Sequence, residues 1–65
     1  MSAIERFWAL PQVTELRHTW VAFKGEIIWL WRAVILLGNW DEICGEGPTQ
    51  EAACEAVLAK VERRP

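Results

Sequence analysis

An α+β fold is what this sequence predicts: a short N-terminal helix, a three-stranded antiparallel sheet and a C-terminal helix packed on one face, in the order α-β-β-β-α. Three observations carry that expectation. Two runs rich in β-branched and aromatic residues, VTELRHTWVAF and IIWLWRAVILL, flank the turn candidate Lys24-Gly25-Glu26. Thr49, Glu51 and a series of alanines form a helix signature behind the chain breaker Gly45-Glu46-Gly47-Pro48. Finally, 65 residues are enough for one small domain, residues 1–65, and leave no room for a second core.

Each element has its own signal. Ser2 and Glu5 stand at capping-box spacing, Ile4, Phe7, Trp8 and Leu10 form an apolar stripe, and Pro11 is a stop, which predicts a helix over about residues 3–10. Val13 to Phe23 reads as the first strand, with Gly25 supplying the positive φ of the following turn. The second strand is the run Ile27 to Leu36, followed by the turn Leu37-Gly38-Asn39 and a short third strand from Trp40 to Gly45. In the last element Cys54, Val57, Leu58 and Val61 share a stripe with Ala53 beside them, while Ala52, Ala56, Ala59 and Arg63 fall opposite. Lys60, Arg63 and Arg64 complement the negative end of that helix dipole.

The run IIWLWRAVILL holds one charge in eleven positions, yet it does not read as a membrane span. A spanning helix needs about 20 mainly apolar residues. Here Lys24 and Glu26 precede the run, Arg32 interrupts it, and Asn39, Asp41 and Glu42 follow. The opening MSAIERFWALPQ carries Glu5 and Arg6 ahead of a short apolar patch and lacks a small-residue cleavage site, so no signal peptide is expected. The expected compartment is cytoplasmic, where Cys44 and Cys54 are reduced thiols.

Composition narrows the function classes. The chain is 52% hydrophobic with a formal charge of -2, too apolar for a disordered tail and too close to neutral for a polyanion mimic. Catalysis would require His18 as base for Cys44 or Cys54, with Glu15 or Asp41 in support, and no spacing motif links them. Zinc would lack a fourth ligand and the usual paired cysteines. GEGPTQEA has no phosphate-loop lysine, and Glu46 and Glu51 would repel an anion. The sequence therefore predicts no catalytic residue, no metal and no cofactor. Nucleic acid is a disfavoured partner, because Arg6, Arg17, Lys24 and Arg32 are scattered and the basic end is interleaved with Glu62.

Counting faces supplies the positive expectation. Along the second strand Ile27, Trp29, Trp31, Ala33 and Ile35 point one way and Ile28, Leu30, Arg32, Val34 and Leu36 the other. One helix covers one face, and the short N-terminal helix could cap only part of the second with Phe7 and Trp8. The remaining apolar area calls for a second copy or another protein. Five Trp and no Tyr point the same way, since Trp and Arg dominate binding hot spots. The candidate contact residues are Trp20, Trp29, Trp31, Arg32 and Trp40.

The stretch GEGPTQEAACEAVLAKVER resembles the strand-to-helix segment of HicB-type antitoxins, in which a glycine and a threonine cap lead into a helix opening with Glu-Ala. The resemblance covers the last third to half of the chain and implies non-enzymatic binding to a protein target. Those antitoxins also carry a separate DNA-binding segment, for which 65 residues leave no room. The expected function is a small protein-binding module, a stoichiometric inhibitor of the phage or mobile-element type such as an antitoxin or anti-CRISPR protein, with a homodimer as the expected assembly. A structural homo-oligomer subunit and a small nucleic-acid-binding protein are the alternatives.

Overall fold

A computed structural model describes residues 1–63, and the expectation for Arg64 lies outside them. Among the described residues the order is α1 (Ala3–Trp8), β1 (Val13–Phe23), β2 (Glu26–Leu36), β3 (Glu42–Gly47) and α2 (Gln50–Glu62), which is the predicted α-β-β-β-α arrangement. None of these helices is long and apolar enough to cross a membrane. The run IIWLWRAVILL is strand β2 as far as Leu36.

Helix α1 begins on the predicted capping box. The Ser2 hydroxyl accepts the Glu5 N–H at 3.2 Å, and the Glu5 carboxylate accepts the Ser2 N–H at 3.4 Å. The helix ends at Trp8 rather than Leu10, with Ala9 as its C-cap. Six residues do not hold a helix in water by themselves. Tertiary contacts do so here: Phe7 is fully buried, Arg6 donates to the Glu62 carboxylate of α2 at 2.6 Å, and the Glu51 carboxylate of α2 accepts the N–H groups of Ala3 at 2.8 Å and Ile4 at 3.3 Å. Those donors are among the groups a helix start leaves without partners. Glu51→Ala is therefore expected to destabilise the protein by about 1–3 kcal/mol, read as a fall in Tm of about 5–20 °C at this chain length. Glu51→Gln, which keeps a carbonyl oxygen in place, should fall between the two in a thermal melt.

The hairpin is tighter than the sequence suggests. Lys24 and Gly25 have φ of 51° and 79°, the conformation of a two-residue type I′ turn, so Glu26 joins β2 as the partner of Phe23. From there the register runs without a bulge to Val13 opposite Leu36. β3 pairs with the other edge of β2, from Trp31 opposite Gly47 to Leu36 opposite Glu42. It lies two residues later than the predicted Trp40–Gly45, because Trp40 and Asp41 are used by the turn. The Trp40 N–H donates to the Leu37 carbonyl at 3.0 Å and the Leu37 N–H to the Asp41 carbonyl at 2.8 Å. Gly45, read in the sequence both as the end of the strand and as the start of a break, is a strand residue, and so is Gly47, read as part of the break alone.

Both helices lie on one side of the sheet. Ala33, Ile35 and Ile43 from the sheet, Ala53, Cys54, Val57 and Leu58 from α2, and Ala3 and Phe7 from α1 form a single buried cluster. The predicted stripe of α2 is thus the buried one. The expectation that α1 caps the second sheet face is not met: its buried Phe7 joins the cluster beneath α2, so the opposite face carries no helix among the described residues. The protein is also more open than its length requires. Its radius of gyration is 12.2 Å, against about 10.7 Å for a closely packed chain of this length. Its surface is 4705 Å², against about 4,200 Å² expected for this mass.

Candidate functional site

The excess surface has a definite location. β3 accompanies β2 only from Trp31 onward, so the five pairs from Thr19–Leu30 to Phe23–Glu26 project as a bare two-stranded ribbon. At 3.3 Å per residue this overhang is about 16 Å long. It carries Trp20, Phe23, Ile27, Ile28 and Trp29, from 42% exposed at Ile28 to 64% at Ile27. Register places Trp20 opposite Trp29 and Ala22 opposite Ile27 on the helix side, with Val21 opposite Ile28 on the reverse side. The ribbon is apolar on both faces, whereas an isolated hairpin in water ordinarily keeps one face polar.

Along β2 burial rises toward the base of the hairpin. Trp31 is half-buried against the core cluster, and the His18 imidazole stacks on it with ring centroids 4.7 Å apart and meets Trp29 tilted, at 5.1 Å. Trp20, Trp29 and Trp31 thus form one stripe along the helix side, grading from exposed to packed. Arg32 is on the opposite face, where its guanidinium donates to the Glu46 carboxylate at 2.6 and 3.0 Å. Trp40 is elsewhere again, at the far end of the sheet. The five candidate contact residues therefore occupy three places, and Phe23, Ile27 and Ile28 belong with the hairpin tip although they were not singled out from the sequence. Their signal was present in the sequence, where the predicted strands Val13–Phe23 and Ile27–Leu36 are both much longer than Trp40–Gly45.

Trp40 is 84% exposed, with φ of 69°. The left-handed region is a strained place for a bulky residue. Its indole borders an open groove of about 370 Å³ with Pro11, Gln12, Val13, Leu37 and Gly38. Trp40→Gly is expected to raise stability by about 1 kcal/mol, or about 5 °C in Tm; a lower Tm would show that the indole packs on the groove wall strongly enough to offset its backbone strain.

The helix-free face is not a uniform apolar sheet. Glu15 and Arg17 form a bidentate pair at 2.6 and 2.9 Å, and Arg17 lies directly across from Arg32. The hydrogen bond from Arg17 holds the Glu15 carboxyl below its ordinary range and pushes Arg17 further up, so both stay ionised at neutral pH. These charges divide the face into an apolar area near Val21, Ile28 and Leu30 and another near Val34, Leu36 and Cys44.

The candidates for reaction chemistry are dispersed. His18 lies on the helix side, Cys44 on the opposite face, and Cys54 is buried beneath α2 with its thiol pushed up by burial and, secondarily, by Glu51. Among the described residues no three His, Cys, Asp or Glu side chains gather in a way that could hold a metal ion. No family model, curated protein or solved structure matches the chain.

Proposed function

We propose that this chain is a non-enzymatic protein-binding module that inhibits a larger protein by inserting the tip of its β1–β2 hairpin into a cleft of that protein. The observation that carries the reading is the overhang itself: five strand pairs beyond the last residue paired with β3, with exposed apolar side chains on both faces. A ribbon two strands wide presents side chains from both faces and from its end, which suits a cleft better than a flat surface. Trp20 and Trp29 side by side give a large anchor with few rotatable bonds. Lys24 at the turn adds a cation at the leading end.

The resemblance of the Gly45–Arg63 segment to HicB-type antitoxins supports the same class, a protein-directed inhibitor. The test is capture from a host lysate on immobilised wild-type protein and, in parallel, on a variant carrying Trp20→Ser and Trp29→Ser. One specific protein retained by the wild type and lost with the variant supports the reading. Retention that ignores the substitutions, or none at all, overturns it.

A further inference from the structure

The outer edge of β1 is the longest unsatisfied feature of the backbone. The two-residue turn makes Phe23 and Glu26 a hydrogen-bonded pair, so the odd-numbered residues of β1 bond to β2. The N–H and C=O groups of Thr14, Leu16, His18, Trp20 and Ala22 then point away from the sheet, and no described element pairs with them. Edge strands are ordinarily blunted by proline, lysine, a bulge or short length. This one runs eleven residues without proline, lysine or bulge, and Glu15 and Arg17 are its only charged side chains.

Its two charges do not simply repel a second strand; they select a register. When β1 meets β1 of a second copy antiparallel about a twofold axis, a given residue lies on the axis and its neighbours pair across it. Centring on Glu15 sets Glu15 against Glu15, and centring on Arg17 sets Arg17 against Arg17, both unfavourable. Centring on His18 leaves Arg17 opposite Thr19 and Glu15 opposite Val21, with no charge matched. Centring on Leu16 places Glu15 of each copy opposite Arg17 of the other, twice, at the closely spaced non-hydrogen-bonded positions. It also relieves a defect of the single chain. Arg17 faces Arg32 across β2, and Glu15 of the second copy completes the row Glu46–Arg32–Arg17–Glu15 with a negative group at each end.

We infer that two copies of this chain join along β1, centred on Leu16, into a continuous six-stranded antiparallel sheet. A twofold axis normal to the sheet keeps all helices on one side. The dimer leaves both hairpin tips uncovered, because β1 pairing ends near Trp20; with seven residues from Leu16 to each turn, the tips lie about 45 Å apart at opposite ends. The inference stands on the strand edge and its charges, whatever the hairpin tips bind.

The test is a set of complementary charge reversals read by sedimentation equilibrium. Wild-type protein is expected to be a dimer. Glu15→Arg alone and Arg17→Glu alone each set like charges face to face, so each should weaken self-association at least tenfold. An equimolar mixture of the two variants should regain wild-type strength as a heterodimer, since every cross-strand pair is again opposite in sign. The altered side chains are half-exposed, and circular dichroism verifies that each variant is folded. Amide exchange on the wild-type protein reads the register without substitution: Thr14, Leu16 and His18 should gain protection as concentration rises, while Ala22 stays fast. A monomeric wild type, single variants that associate as tightly as wild type, a mixture that forms no heterodimer, or concentration-dependent protection of Ala22 each overturn the proposal.

Discussion

Gly45→Ala is expected to leave the protein without a cooperative fold at 25 °C. A methyl group at this position would lie 2.2 Å from the backbone nitrogen of Val57, 2.7 Å from its Cα and 2.8 Å from the carbonyl carbon of Ala56. All three obstacles are main-chain atoms of α2, so no rotamer change relieves them, and the helix must lift away from β3. Lifting it opens the contact of Ile35 and Ile43 with Cys54 and Val57, in a core of nine buried hydrophobic residues among the described ones. Overpacking alone costs about 1–3 kcal/mol, and losing the α2 contacts adds a comparable amount. A single small core supplies only about 3–5 kcal/mol of net stability. Far-UV circular dichroism during a thermal melt checks this; a cooperative transition within a few degrees of wild type would show that α2 rides on β3 less tightly than the geometry requires. Gly47→Ala is expected to do less, since its nearest obstacle is the Ala52 methyl at 2.6 Å and the main-chain atoms of Ala52 and Ala53 are at 2.9 Å, and Ala52→Gly should partly rescue it. Gly38→Ala, with nothing within 4 Å, should be close to neutral.

The two strand glycines also show where the sequence was legible and where it was not. Gly45 and Gly47 beside Pro48 read as a break because glycine and proline end elements more often than they serve inside them. An isolated strand glycine can equally mark a close approach of another backbone. Choosing between the two requires knowing that α2 folds back over β3, which no local pattern states. Alternation along β2 assigned its two faces correctly, because a period of two is a local property of the strand. It did not show where along the strand the cover ends. That depends on the difference in strand lengths, on the turn that uses Trp40 and Asp41, and on Pro48, which follows the last residue of β3. The most exposed indoles of the sheet therefore lie on the helix-covered face, at the end the helices do not reach, while the helix-free face is crossed by two ion pairs. The site of α1 was likewise set by a contact between distant residues, Glu51 with Ala3 and Ile4.

Replacing Trp20 and Trp29 together by alanine is expected to separate binding from folding. Each indole is more than half exposed, and the pair lies among the strand pairs that extend beyond β3. Substitutions at such positions ordinarily change stability by no more than about 0.5 kcal/mol, so the double variant should keep its Tm within about 8 °C. Binding should respond very differently. A central aromatic anchor contributes about 2 kcal/mol or more on truncation, so losing both should weaken affinity for the captured protein by about 4 kcal/mol, roughly a thousandfold. Trp31→Ala gives the opposite pattern: that indole packs on the core cluster and under His18, so its loss should lower stability by about 3 kcal/mol while leaving the exposed anchor intact. Calorimetric titration and thermal melts on the same three samples provide both readouts. A large fall in Tm with Trp20 and Trp29 removed would make them structural residues, and unchanged affinity would move the contact away from the hairpin, with Trp40 and its groove as the next surface to truncate.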